Sequence, residues 1–177
     1  TIEGMDVAVV YTFDTKFGDF TFKYNGSFTD KFDQEATSQF AAMQALADNG
    51  TIPENIPLQG FGDLLGKDGS LEEKHSYKLY FNAGEWGASL SGLTKGDFVQ
   101  SKFGTVNGVG FTIPEMTTMD LAVWGKFDLD GKEARVKYTI KNFEDERAPL
   151  ADGYQGYFSD IHQDLGMIHQ LELRIRF

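Results

Sequence analysis

The stretch Leu171-Glu172-Leu173-Arg174-Ile175-Arg176-Phe177 decides the reading of this chain. Apolar and charged side chains alternate along it: Leu171, Leu173, Ile175 and Phe177 fall on one side, Glu172, Arg174 and Arg176 on the other. A period of two residues belongs to a β-strand, whose successive side chains point to opposite faces. The two faces of this strand therefore meet different surroundings, one apolar and one able to solvate or pair charge. Carried to an aromatic last residue, this alternation is the pattern of a transmembrane β-barrel strand, with the apolar set toward lipid and the charged set toward the interior.

Working upstream, the alternation recurs. A first strand from about Gly4 to Phe13 sets Met5, Val7, Val9, Tyr11 and Phe13 against Asp6, Ala8, Val10 and Thr12. A second, from about Asp19 to Phe32, sets Phe20, Phe22, Tyr24 and Phe28 against Thr21, Lys23, Asn25 and Ser27. Further strands are expected over about Glu72–Asn82, Trp86–Phe98, Thr117–Phe127, Lys132–Asn142 and Gly166–Phe177. The connections after the first, third and fifth strands are short turns; those after the second, fourth and sixth are long, at about 33–71, 99–116 and 143–165. Short turns at one end and long loops at the other mark an outer-membrane barrel, and long structureless loops are uncommon in compact soluble domains. Strand lengths are expected near the ~9–11 residues that cross a bilayer at a tilt. Within the first long connection, Phe40, Met43 and Ala47 share a helical face, and Asn49-Gly50 supplies a stop, so a short helix is expected over 34–50.

Bulk properties bound the function classes. Net charge is −11, from 16 Lys and Arg against 27 Asp and Glu, which argues against a nucleic-acid backbone as partner. The chain has no Cys, which excludes disulfides and thiolate chemistry. Mean hydropathy is −0.34 and no run of about 18 apolar residues occurs, so no transmembrane helix is expected; barrel strands escape that test because every second residue is polar. Aromatic content is high, with 16 Phe, as strands and interfacial girdles require. The chain opens at Thr1-Ile2-Glu3-Gly4 without an initiator Met and already in a strand-like pattern, which gives the expectation of a mature or truncated product.

No catalytic constellation stands out, and the expectation is a non-enzyme with no cofactor and no metal. His75, His162 and His169 have no metal-ligand spacing and read as interfacial or loop histidines. Asp128-Leu129-Asp130-Gly131 begins like a calcium loop but lacks the downstream Glu, and reads as a turn. Asp30, Asp33 and Glu35 could hold a surface cation, though solvated loop charge is the plainer reading. Gly104, Gly108 and Gly110 make no phosphate loop, and 106–110 reads as a turn. Lys74, Lys78, Arg135, Lys137, Lys141, Arg174 and Arg176 are expected on the interior face, either selecting anions or pairing with carboxylates of the wall or of a plug. In the long loops Phe103, Tyr154, Tyr157 and Phe158 are candidate ligand-binding aromatics, with packing of loop on loop as the alternative.

The segment Asn142-Phe143-Glu144-Asp145-Glu146-Arg147-Ala148-Pro149, then Ala151-Asp152-Gly153-Tyr154, then a last strand ending Arg176-Phe177, resembles the C-terminus of TonB-dependent outer-membrane receptors. Asp164-Leu165-Gly166-Met167 stands where that family has a lead-in ending in Gly-Arg, here without the Arg. The hairpin residues Tyr11–Asp14 with Phe17–Phe20, and Glu85–Leu90, are similar to mid-barrel hairpins of the same family. The resemblance implies an all-β fold: about seven strands forming the C-terminal third of an antiparallel barrel of about 22 strands. It implies import of a scarce nutrient such as a siderophore or sugar across a bacterial outer membrane, with long loops extracellular and short turns periplasmic. Implied partners are the remaining barrel strands and plug of the receptor, the TonB energy-transducing complex, outer-membrane lipid, and the barrel assembly machinery, which would read Phe177 as an assembly signal. Seven strands alone would leave two open edges, so a strand outside these residues is expected beside each. Two other readings remain: a small self-contained barrel with a structural, adhesive or pore role, and a soluble lipocalin-like barrel with an apolar interior and a polar exterior.

Overall fold

The computed structural model describes residues 1–53, 60–101 and 110–176. Its body is one antiparallel sheet in which seven long strands follow chain order. These are β1 (Ile2–Thr15), β2 (Gly18–Gln34), β4 (Glu73–Ala83), β5 (Trp86–Lys95), β8 (Met116–Leu129), β9 (Lys132–Lys141) and β10 (Ile168–Ile175). Three short strands lie in the long connections: β3 (Gly62–Asp63) pairs with β2, while β6 (Phe98–Gln100) and β7 (Phe111–Ile113) pair with each other. The fold is thus all-β, as the alternating pattern dictates, with one helix, α1 (Ser38–Asp48), capped by the Thr37 hydroxyl accepting from the Phe40 amide at 3.4 Å.

Two-residue turns close the three hairpins at Lys16-Phe17, Gly84-Glu85 and Asp130-Gly131. Asp130 and Gly131 both take positive φ, at 55° and 77°, the mirror-image turn that suits strand twist. The Asp128 carboxylate accepts from the Gly131 amide at 2.9 Å, so the calcium-like stretch is a hairpin turn. All three turns lie at one end of the sheet and the long connections at the other.

Several boundaries differ from the sequence expectation. The fourth expected strand does not run to Phe98: β5 stops at Lys95, and Phe98–Gln100 turns away to pair with β7. The last strand stops at Ile175, although the Arg176 amide still donates to the Glu133 carbonyl at 3.0 Å. Phe177 lies outside the described residues. Strand lengths are not uniform, since β2 has 17 residues and β10 has 8. The extra length of β1 and β2 carries the polar residues Asp30, Lys31 and Asp33, with Lys31 3.3 Å from Asp33.

Register makes the sheet two-faced. Paired residues share a face, and one row reads Tyr11, Phe22, Leu79, Leu90, Leu121, Ile140, His169 across all seven strands. The next apolar row reads Phe13, Phe20, Phe81, Ala88, Val123, Tyr138, Leu171. The intervening row on the other face reads Thr12, Thr21, Tyr80, Ser89, Ala122, Thr139, Gln170. The polar face is the concave one. One hollow of about 250 Å³ touches polar-face residues of five neighbouring strands, from Lys78 on β4 to Glu172 on β10. A second, of about 360 Å³, spans β1 to β5, from Asp6 to Leu93.

The sheet is open rather than closed: β1 pairs only with β2 along its length, and β10 only with β9, among the described residues. Among the described residues nothing covers the apolar face, and Leu171 is 72% and Leu173 59% exposed. Accessible surface is 11872 Å² for a 19.8 kDa chain, where a compact soluble fold of that mass exposes about 8,600 Å². The large buried side chains, Phe98, Ile113 and Met116, sit at the loop end, while two buried alanines, Ala122 and Ala134, lie within the sheet.

Candidate functional site

The long connections are tied into one assembly over the mouth of the concave face. The base of the last one is pinched by side chains that compete well for backbone groups. Asn142, at φ 48°, donates from Nδ2 to the Glu146 carbonyl at 2.8 Å and accepts from the Glu146 amide at 3.0 Å. Asp145 accepts from the Met167 amide at 2.8 Å. Arg147 binds Asp164 at two points, 2.7 and 2.6 Å, and the Ala148 amide donates to the same carboxylate at 3.0 Å. The guanidinium holds the Asp164 carboxyl down at about 2 and is itself shifted upward.

Further out, the Gln100 amide bonds Asp152 in both directions, to its carbonyl at 2.5 Å and from its amide at 2.9 Å. The Ser101 amide and hydroxyl both donate to Asp68, linking the first connection to the second. Lys95 donates to the Ile161 carbonyl. Phe98 meets Phe158 edge-on at 5.0 Å and stacks with His162 at 6.1 Å. His162 is 1% exposed, its Nδ1 lies 3.3 Å from the Met116 sulfur, and its Nε2 has no partner among the described residues. Burial, and then the Lys95 charge, push its pKa below the ordinary histidine value.

Of the four candidate loop aromatics, three come together. Tyr154, Tyr157 and Phe158 line a concavity of about 270 Å³ with Gln100, Asp152, Gln155 and Asp160. Their roles differ. Tyr154 is fully exposed at 106%, presenting its ring to solvent, whereas Phe158 is held by Phe98 and packs one connection on another. Phe103 lies outside the described residues, as do Gly104 and Gly108. Chemically, the concavity offers ring faces, carboxylates and amides, a set that binds hydroxyl-rich or cationic groups. Among the described residues no group of three His, Cys, Asp or Glu is placed to hold a metal ion.

The cations that the alternation assigns to one face of the sheet share that face. Lys74, Lys78, Arg135, Lys137, Lys141 and Arg174 all register on the polar face. Two pair with carboxylates near them: Arg174 with Glu172 at 3.1 Å, and Arg176 with Glu133 at 3.7 Å. Arg135 lies over the Trp124 ring at 5.6 Å. Sequence reasoning did not single out Lys95 or the His162–Met116 contact. The short segments 98–100 and 111–113 look like strand tails and carry no mark of a loop core.

On the apolar face aromatic rings gather toward both ends. At the turn end Tyr11, Phe13, Phe20, Phe81 and Trp86 form a chain of ring contacts with centroids 4.6–5.7 Å apart. Toward the loop end two Tyr–His pairs repeat: Tyr24 to His75 at 2.9 Å and Tyr138 to His169 at 2.7 Å. Compared with known proteins, the chain matches no family model, no curated protein and no solved structure.

Proposed function

We propose that this chain is part of the wall of a transmembrane β-barrel in a bacterial outer membrane, within a receptor that imports a scarce nutrient. The single observation that carries the reading is the division of the sheet into an uncovered apolar face and a concave polar one. A soluble lipocalin-like barrel would put its apolar residues in the hollow. Leu79, Leu121, Leu171 and Leu173 instead stand on the side away from it. Each such side chain gains about 1.5–3 kcal/mol when taken out of water, and lipid is the solvent that takes a whole face at once. Aromatic rings near both ends of that face match interfacial girdles.

The remaining features support the same reading. Two-residue turns at one end and tied loops at the other correspond to periplasmic and extracellular sides. The edges of β1 and β10 are too costly to leave open in hydrocarbon, so further strands complete the barrel. The TonB-dependent receptor resemblance supplies the candidate whole: a larger barrel with a plug, energised by the TonB complex, with no catalysis in this chain. The concavity beside Tyr154 is then an outer contact for the nutrient, and Phe177 the residue read by the assembly machinery. The test is to separate membranes of the native host and run the full-length protein on gels with and without heating. Outer-membrane fractionation with a heat-dependent shift is expected. Recovery in a soluble fraction without detergent removes the proposal.

A further inference from the structure

The concave face carries cations in positions that a wall serving only as scaffold would avoid. Lys23 sits directly across from Lys78, and Lys126, Arg135 and Arg174 form an unbroken rung over three strands. Like charges directly opposite on a sheet face are destabilising. Among the described residues Arg174 alone of these five has a carboxylate in range, Glu172 at 3.1 Å. On this face Asp14, Asp19, Asp128 and Glu133 gather near the short turns. In the central hollow of about 250 Å³, Lys78, Lys137 and Lys141 face only Asp120 and Glu172. Glu172 stands directly across from Lys137 and pairs with Arg174 at 3.1 Å, and Asp120 keeps its charge while accepting from the Asn142 amide at 2.8 Å, so two carboxylates serve four cations there. Among the described residues Lys23 and Lys78 share only the ring of Tyr80, at 5.5 and 4.6 Å, and Lys137 and Lys141 have no carboxylate in range.

We propose that this hollow is a binding station for a multiply charged anion, a solute bearing two or more carboxylate or phosphate groups. It rests on the barrel reading for its direction, since it makes the imported solute, or its carrier, anionic. Lys78 on β4 and Lys137 and Lys141 on β9 approach from opposite sides of β5 and β8, whose small residues Ser89, Ser91 and Ala122 leave the floor open. Three ammonium groups around an open floor fit separated anionic groups better than one monovalent ion, and cationic linings of this kind select anions in other pores.

The test uses the full-length protein in detergent, with citrate and inorganic pyrophosphate as probes and erythritol as the uncharged control, measured by titration calorimetry. Binding of at least one anion and not of erythritol is expected, with citrate against pyrophosphate separating carboxylate from phosphate preference. The double variant Lys78→Gln with Lys137→Gln is expected to bind about tenfold more weakly, and added salt to weaken wild-type binding. Lys31→Gln, outside the hollow, is expected to bind as wild type does. Equal binding by the double variant overturns the proposal. So does absence of binding together with protection of the wall lysines from an acylating reagent, which would mean that an acidic protein segment covers them. Heat-shift electrophoresis of the same sample separates the two readings: a folded barrel that binds no anion sinks this inference alone, and a protein with no heat-shifted form sinks the barrel.

Discussion

Arg147 and Asp164 clasp each other across the last long connection, Nε to Oδ1 at 2.7 Å and Nη2 to Oδ2 at 2.6 Å, and so fasten its two ends above the concave face. A planar two-point pair fixes geometry as well as charge. Because the native carboxyl is held at about 2, the open loop binds a proton that the closed loop refuses at moderately acid pH. The clasp therefore contributes in full above about pH 4, the unperturbed value, and is lost as pH falls through the native one. Amide exchange over 149–163, corrected for intrinsic rates, is expected to stay slow from neutral pH to about pH 4 and then rise. Asp164→Asn is expected to show the fast exchange already at neutral pH. Unchanged protection in that variant would mean that the clasp does not hold the loop.

His162 gives the second pH dependence, in a different window. Its ring is buried between Phe98 and Met116 and its pKa is depressed, chiefly by that burial. A depressed histidine stabilises the closed loop fully above its unfolded value, about 6.5, and less as pH falls below it. Loop protection is thus expected to weaken on going from about pH 7.5 to 5.5. His162→Phe is expected to abolish that step and to keep the fold, since it replaces a ring nitrogen that has no partner with an apolar ring. A step that persists in the variant would place the titrating group elsewhere.

The two faces of the sheet predict opposite tolerances to charge. Leu121 and Thr139 lie on neighbouring strands but on opposite faces, Leu121 registering with Ile140 and Thr139 with Ala122. Leu121→Arg is expected to cost about 2–4 kcal/mol of folding free energy in lipid vesicles. Thr139→Arg, facing the hollow, is expected to cost well under that. Urea titration of the full-length protein folded into vesicles measures both. Equal costs, or the larger one at Thr139, would reverse the assignment of faces.

Most of the sheet was legible because register follows from period two: once Leu121 and Asp120 are assigned to different faces, every neighbour follows. The turns were legible where chemistry forces a positive φ, as at Asp130-Gly131. Loop structure was not. Phe98-Val99-Gln100 reads as a continuation of the strand before it, and the contact of Phe98 with Phe158, sixty residues on, is what draws it out of the sheet. The aromatics of 154–158 were legible as a group, but their division was not. Exposure of Tyr154 and packing of Phe158 depend on Phe98, a partner remote in sequence. α1 was legible from its shared face and its stop, yet it buries no residue, and Phe40 instead meets Phe61 at 5.4 Å.

The open edges give the sharpest expectation. If the barrel is larger than this sheet, β1 and β10 never meet, and cysteines placed on them stay apart. If the chain closes on itself, some pair must fall within the ~4.4–6.8 Å between Cα atoms that a disulfide allows. The chain has no native Cys, so the background is clean. Single cysteines at Val7, Val9 or Tyr11, each combined with one at Leu171 or Leu173, lie along the facing edges on the apolar side. Under oxidation in cells of the native host, none of these pairs is expected to form an intrachain bond, as read from the mobility of non-reduced samples and from peptide masses. A bond in any pair would show that seven strands close a barrel unaided. The larger receptor would then give way to a small self-contained pore or adhesin, while the assignment of the apolar face to lipid would stand.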